Sequence, residues 1–193
     1  EIITEELGGR IFPEGQEDII KRVIHTTADF SYRDTLTITD GAIEKAKEAI
    51  RRGLPIITDT TMAASGINKT AAGKFGIEVH CFIGDEDVKA KAKESGMTRS
   101  AVSVEKAAGC YPECIYAVGN APTALMRLYE LIEEKKIRPA LIIGVPVGFV
   151  NVVEAKELVL RTDVPAIVAR GRKGGSNIAA AICNALLYEA GGR

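Results

Sequence analysis

Ile115-Tyr116-Ala117-Val118-Gly119-Asn120-Ala121-Pro122-Thr123-Ala124-Leu125-Met126-Arg127-Leu128-Tyr129-Glu130-Leu131-Ile132 contains one change of hydrophobic period, and that change decides the fold. Ile115 to Val118 is an unbroken apolar run without alternation, the pattern of a strand buried on both faces. Gly119 and Asn120 interrupt it, and Pro122 suits the first turn of a helix, where its missing N–H costs nothing. Leu125, Leu128, Tyr129 and Ile132 then recur at the spacing of one helical face, predicting a helix over 122–136. A second apolar run follows at 140–143, so strand, helix and strand succeed one another as in a parallel crossover.

The same unit is found in both directions along the chain. Short runs rich in branched residues at 55–58, 78–83 and 166–168 bring the expected strands to five. Helical patterns at 86–94, 98–108, 150–160 and 176–188 separate or follow them. Upstream, Ile19, Ile20, Val23 and Ile24 predict a helix over 16–27, which delivers His25 near its end. Thr39 or Asp40 can cap a further helix carrying Ile43, Ala46 and Ile50 until Gly53 stops it. With no fixed-period repeat and no Pro-, Gly- or Ser-rich linker, residues 1–193 are expected to form a single doubly wound α/β domain. Its sheet is mostly parallel and five-stranded, with helices on both faces.

Composition narrows the function. The 193 residues are 46% apolar and 26% charged, a globular balance that excludes disordered and collagen-like chains. Twenty-five Lys and Arg against 26 Asp and Glu leave a net charge of −1, so neither nucleic acid nor a membrane surface is an expected partner and any anion site must be local. The longest apolar stretch, 140–150, is too short to span a bilayer and contains Gly and Pro. Cys81, Cys110, Cys114 and Cys183 are read as reduced thiols of a cytoplasmic protein.

In a doubly wound sheet, ligands bind beyond the carboxyl ends of the strands. Four loops lie there: 59–68, with Asp59, Thr60, Met62, Gly66 and Asn68; 119–123, with Gly119 and Asn120; 144–149, with Gly148 and Phe149; and 170–177, with Arg172, Lys173, Gly174 and Ser176. Their small residues let backbone N–H groups approach a carboxylate or phosphate, although Gly-rich turns also serve turning alone. Nucleotide fingerprints fail: Gly66 to Lys74 has the wrong spacing, Phe75 stands where a magnesium-binding Ser or Thr belongs, and no G-x-G-x-x-G follows a strand. No G-x-S-x-G elbow suggests a hydrolase. No metal site is expected, since Pro112 separates Cys110 from Cys114 and no second pair completes a zinc set. Glu130, Glu133, Glu134, Lys135 and Lys136 form a solvated helix face. The two histidines are the candidate proton-transfer groups. His80, inside a strand, reads as structural; for His25 the residues alone leave a structural and a catalytic role equally open.

Five segments in order resemble the precorrin-8X methylmutases: Arg22-Val23-Ile24-His25-Thr26-Thr27, Pro55-Ile56-Ile57-Thr58-Asp59-Thr60-Thr61-Met62-Ala63-Ala64-Ser65-Gly66-Ile67-Asn68, Gly119-Asn120-Ala121-Pro122-Thr123-Ala124-Leu125, Gly144-Val145-Pro146-Val147-Gly148-Phe149-Val150, and Gly171-Arg172-Lys173-Gly174-Gly175-Ser176. The resemblance implies an isomerase of cobalamin (vitamin B12) biosynthesis that moves a methyl group from C11 to C12 of a tetrapyrrole. Precorrin-8X would give hydrogenobyrinate and the cobalt form cobyrinate. It implies no separate cofactor, a homodimer with the active site near the subunit interface, and His25 as the catalytic histidine, with Thr26 beside it. Met62, Val147 and Phe149 would then supply apolar contact, while loop amides, Arg172 and Lys173 receive the carboxylates. Two points stand out: the family's polar residue lies in a segment before Glu1, which this sequence starts too late to show, and Ala28 occupies a position where the resemblance implies that Gly is frequent. The competing expectation is a module that binds a flavin, nucleotide or finished corrinoid without converting it.

Overall fold

Along each central strand, successive residues enter opposite cores. Ile56, Ile115, Ala117, Leu141, Ile143, Ile167 and Ala169 face one apolar cluster, and Ile57, Tyr116, Val118, Ile142, Ala166 and Val168 face the other. Both faces of the sheet are therefore covered, which is why these runs show no polar alternation. The computed structural model describes residues 1–9 and 11–192.

In chain order the elements are α1 (Ile2–Glu6), α2 (Gln16–Thr27), α3 (Tyr32–Thr35), β1 (Leu36–Ile38), α4 (Ala42–Arg51), β2 (Ile56–Thr58), α5 (Thr61–Gly66), α6 (Lys69–Gly73), β3 (Val79–His80), α7 (Glu86–Ser95), α8 (Arg99–Cys110), β4 (Ile115–Val118), α9 (Pro122–Glu133), β5 (Leu141–Gly144), α10 (Val152–Leu160), β6 (Ala166–Ala169) and α11 (Ser176–Ala190). The sheet order is β1-β6-β5-β4-β2-β3, and every neighbouring pair is parallel except β1 with β6. Helices α2, α4, α5, α6 and α11 bury their apolar stripes on the first face, and α8, α9 and α10 on the second.

The sheet corrects the sequence reading in three places. It has six strands among the described residues, not five: Leu36-Thr37-Ile38 pairs antiparallel with β6, Leu36 opposite Ala169 and Ile38 opposite Ile167. As a three-residue edge strand with only Leu36 fully buried, it has too little apolar sequence to stand out. The strand expected over 78–83 is paired only at Val79 and His80, the opposite edge. Neither Thr39 nor Asp40 caps α4. Thr39 extends the β1 edge, with its N–H donating to the Ala166 carbonyl (3.0 Å) and its hydroxyl accepting from the Ala166 N–H (2.9 Å); Gly41 opens the helix. Among the described residues, no helix is long and apolar enough to cross a membrane. Cys81 is half-buried and Cys110 exposed, while burial pushes the Cys114 and Cys183 thiols up to about 12.

Candidate active site

β2 and β4 are neighbours, yet the helices that follow them leave to opposite faces, α5 and α6 to one and α9 to the other. This is the topological switch point, where such sheets commonly open a ligand crevice. Here the protein's own groups fill it. The buried Asp59 carboxylate accepts from the backbone N–H groups of Gly119 (2.9 Å), Asn120 (2.8 Å) and Ala121 (2.7 Å). Burial pushes the Asp59 carboxyl above its ordinary range while the three amides pull the other way. The start of α11 closes the gap from the side: a Cβ on Gly119 would stand 2.5 Å from the Ser176 Cα, so only glycine fits. The Thr60 and Ser176 hydroxyls lie 2.7 Å apart, and the Thr60 hydroxyl also caps α5 by accepting from the Ala63 N–H. Asp59, Gly119 and Ser176, expected as substrate contacts, are thus turned inward as packing for the loops, and half-buried Thr60 joins them. A phosphate placed at these amides would meet a carboxylate, which opposes the nucleotide or flavin reading.

The open surface lies along α2 and α11. Ile19, Ile20, Val23 and Ile24 bury one face of α2, which leaves Arg22, His25 and Thr26 outside. His25 is exposed and lies three residues beyond Arg22, so the two share a helical face. Both line a cavity of about 940 Å³ with Asp18, Lys21, Ala185 and Tyr188. The Arg22 guanidinium sits 5.1 Å from the centre of the Tyr188 ring. Asn68 donates to the Tyr188 hydroxyl (3.0 Å), while Asn184 accepts from the Asn68 N–H (2.7 Å) and donates to the Gly66 carbonyl (2.9 Å). The end of α5 and the start of α6 are thereby stitched to α11 beside the cavity. The Thr26 hydroxyl donates to the Arg22 carbonyl one turn back (2.9 Å).

Helix α2 ends at Ala28, whose φ of 53° is left-handed and whose N–H donates to the Ile24 carbonyl. The next residue ties the helix end to the loop after β6: Asp29 accepts from Lys173 (2.6 Å), which also donates to the Ser31 hydroxyl (3.0 Å). The Lys173 hydrogen bond, reinforced by Ser31, holds the Asp29 carboxyl down to about 2. His25 therefore lies one turn from the rim formed by the loops after β5 and β6. On that rim the exposed Arg172 guanidinium stands 5.5 Å from the centre of the Phe149 ring. Gly148 donates to the Arg172 carbonyl (3.1 Å), and Gly175 to the Val145 carbonyl (2.8 Å). Gly174 presses so closely on the Val145 and Pro146 carbonyls that no side chain fits there. Met62, Val147, Phe149 and Val150 are large apolar side chains left exposed, and Asn120 is exposed as well.

Sequence reasoning passed over Arg22, Asp29, Lys156, Asn184 and Tyr188. The three-residue spacing of Arg22 and His25 was a usable signal; the contacts of the others join distant parts of the chain and leave no local trace. His80 is no part of this surface. It stacks on Tyr111 and Phe82 at the β3 edge, its Nε2 2.9 Å from the Tyr111 hydroxyl.

The chain's relatives point the same way. The family model for precorrin-8X methylmutase matches residues 1–189. A cobalt-precorrin-8 methylmutase of Leptospira interrogans is 43% identical over 96% of this chain and 88% of its own. One of Salmonella typhimurium is 49% identical over 90% and 81%. The crystal structure of the precorrin-8X methylmutase from Thermus thermophilus superposes with a TM-score of 0.91 at 38% identity, covering 98% of this chain and 93% of its own. A match along nearly the whole length, in sequence and in backbone alike, places this chain in the precorrin-8X methylmutase family.

Proposed function

We propose that this chain moves one methyl group from C11 to C12 of the precorrin-8 macrocycle, with the cobalt-containing form as its preferred substrate, yielding cobyrinate. The observation that carries this reading is the position of His25: exposed on a cavity whose volume lies at the upper end of the usual ligand range, roughly 300–1,000 Å³, and one turn from a rim bearing Arg172 and Lys173. The names of the Leptospira and Salmonella relatives favour the cobalt form. Cobalt in that case belongs to the substrate, held by its ring nitrogens.

The reaction is an isomerisation. The bond from the methyl carbon to C11 breaks as its bond to C12 forms, the ring's double bonds shift in step, and no electron or atom leaves. Such a shift needs no nucleophile. It needs the conjugated ring held still and made electron-poor, which a proton or hydrogen bond from His25 to a ring nitrogen accomplishes; general acid catalysis typically contributes ~10²–10⁴-fold. Arg22, Arg172 and the loop amides receive the peripheral carboxylates, with Thr26, Asn68 and Asn120 as polar contacts beside them. Met62, Val147 and Phe149 cover the ring's apolar face. Asp59, Thr60, Gly66, Gly119, Gly148 and Ser176 keep the loops in shape.

The exposed Phe149 and Val150, adjacent on the loop after β5, also support a homodimer with the site near its interface, since monomers rarely leave large apolar groups together in water. Reduced thiols fit a cytoplasmic enzyme. The test is incubation with precorrin-8X and with its cobalt form while the visible spectrum is followed. Conversion of the cobalt form to cobyrinate, faster than the metal-free one, is expected; binding with an unchanging spectrum in both would mean a carrier and sink the proposal.

A further inference from the structure

Lys156 is the one fully buried charged side chain of α10, and among the described residues no carboxylate pairs with it. Its Nζ donates to the carbonyls of Gly171 and Lys173, both at 2.8 Å. The charges around it are engaged elsewhere: Glu157 with Arg170, and the Lys173 side chain with Asp29. Burying an ammonium without a counter-ion is costly, and an apolar residue of similar volume would pack the same space without that cost. The position therefore calls for an explanation beyond packing.

The explanation lies in the peptide planes. In a trans peptide the C=O and the following N–H point in opposite directions. Drawing the carbonyls of Gly171 and Lys173 inward onto Nζ turns the N–H groups of Arg172 and Gly174 outward, and neither N–H donates to another described residue. The residue in between is pinned as well, its carbonyl accepting from Gly148. Two amides of one turn are thus held facing the rim, backed by a buried positive charge, at the residue where a Cβ is forbidden.

We propose that Lys156 is a positioning residue for the macrocycle: from inside the fold it shapes the 171–175 turn so that the Arg172 and Gly174 amides meet a peripheral carboxylate of the substrate. This rests on the reading above that the rim receives those carboxylates.

The experiment compares the wild-type protein with Lys156→Met and Lys156→Gln, using cobalt-precorrin-8 for turnover and cobyrinate for absorbance titration. Lys156→Met is expected to raise KM and the product dissociation constant by about tenfold or more while the rate at saturation stays within about threefold, with Lys156→Gln, which keeps a donor, falling between it and the wild type. A purely structural lysine would instead lower the folded fraction, read by circular dichroism, and leave KM unchanged; that result overturns the proposal. Should Lys156→Met fail to fold, the Gln variant decides by the same KM criterion. Failure of the wild-type protein itself to convert the macrocycle would strike the functional reading rather than the role of Lys156.

Discussion

His25 and Ala28 sit one turn apart and answer to different forces. His25 gains little from the fold, being exposed on the outer face of α2, so His25→Ala should leave unfolding curves unchanged and lower single-turnover conversion by ~10² or more. His80→Ala should keep turnover near that of the parent, because His80 belongs to the stack with Tyr111 and Phe82. A His25→Ala enzyme within about threefold of the parent would remove the residue from the chemistry. Ala28 closes α2 in a left-handed conformation, φ 53°. An L-residue pays roughly 1–2 kcal/mol there, part of which glycine would return through its freer unfolded chain. Ala28→Gly is therefore expected to stabilise the protein by about 0.5–1 kcal/mol, visible as a higher urea midpoint with an unchanged slope.

At the level of elements, the loop after β6 is the one on which most depends. Changing Arg172 and Lys173 together to Ala should weaken macrocycle binding by ~1–3 kcal/mol, less at high salt, with little change in melting temperature. Arg172 should supply the larger share, since Lys173 is already tied to Asp29. Equal dissociation constants for variant and parent at two salt concentrations would mean that both side chains are merely solvated. Beneath the loop, burial holds Lys156 down to about 8, below lysine's ordinary ~10.4. Between those values the unfolded chain binds more protons than the native one, so this group makes stability rise with pH. The unfolding free energy of the wild type should thus gain on that of Lys156→Met between about pH 8 and 10 in denaturant titrations; a constant difference would contradict it. Nothing local in Val153-Glu154-Ala155-Lys156-Glu157 marks that lysine as buried. It looks like a solvated helix face, and only the returning 171–173 segment makes it otherwise.

Across the whole molecule, the four central strands were legible because a strand covered on both faces is apolar nearly throughout, and the β3 edge showed only as part of the run at 78–83. The edge strand β1 was not legible, being half-exposed and broken by Thr37. The short helices α5 and α6 are too brief to show a helical period, being separated at Gly66, Ile67 and Asn68, and are held by the caps of Thr60 and Asn68. Of the candidate site, the loops and His25 could be located from sequence, but which loop residues face out could not, because that depends on Asp59 closing the switch point. The exposed Phe149 and Val150 make a prediction about assembly: Phe149→Ser with Val150→Ser should shift sedimentation from dimer to monomer, and a parent that already sediments as a monomer would end that expectation. The docking of α2 on α11, and of β1 on β6, carries one more consequence. Both partners lie beyond residue 165, so they are made long after α2 and β1. Until they emerge, Ile19, Ile20, Val23 and Ile24 lack the α11 surface that is their main partner, and the nascent chain displays an apolar helix face that a chaperone can hold. The wall of the cavity that His25 lines includes Ala185 and Tyr188, so that cavity does not exist until α11 has been made.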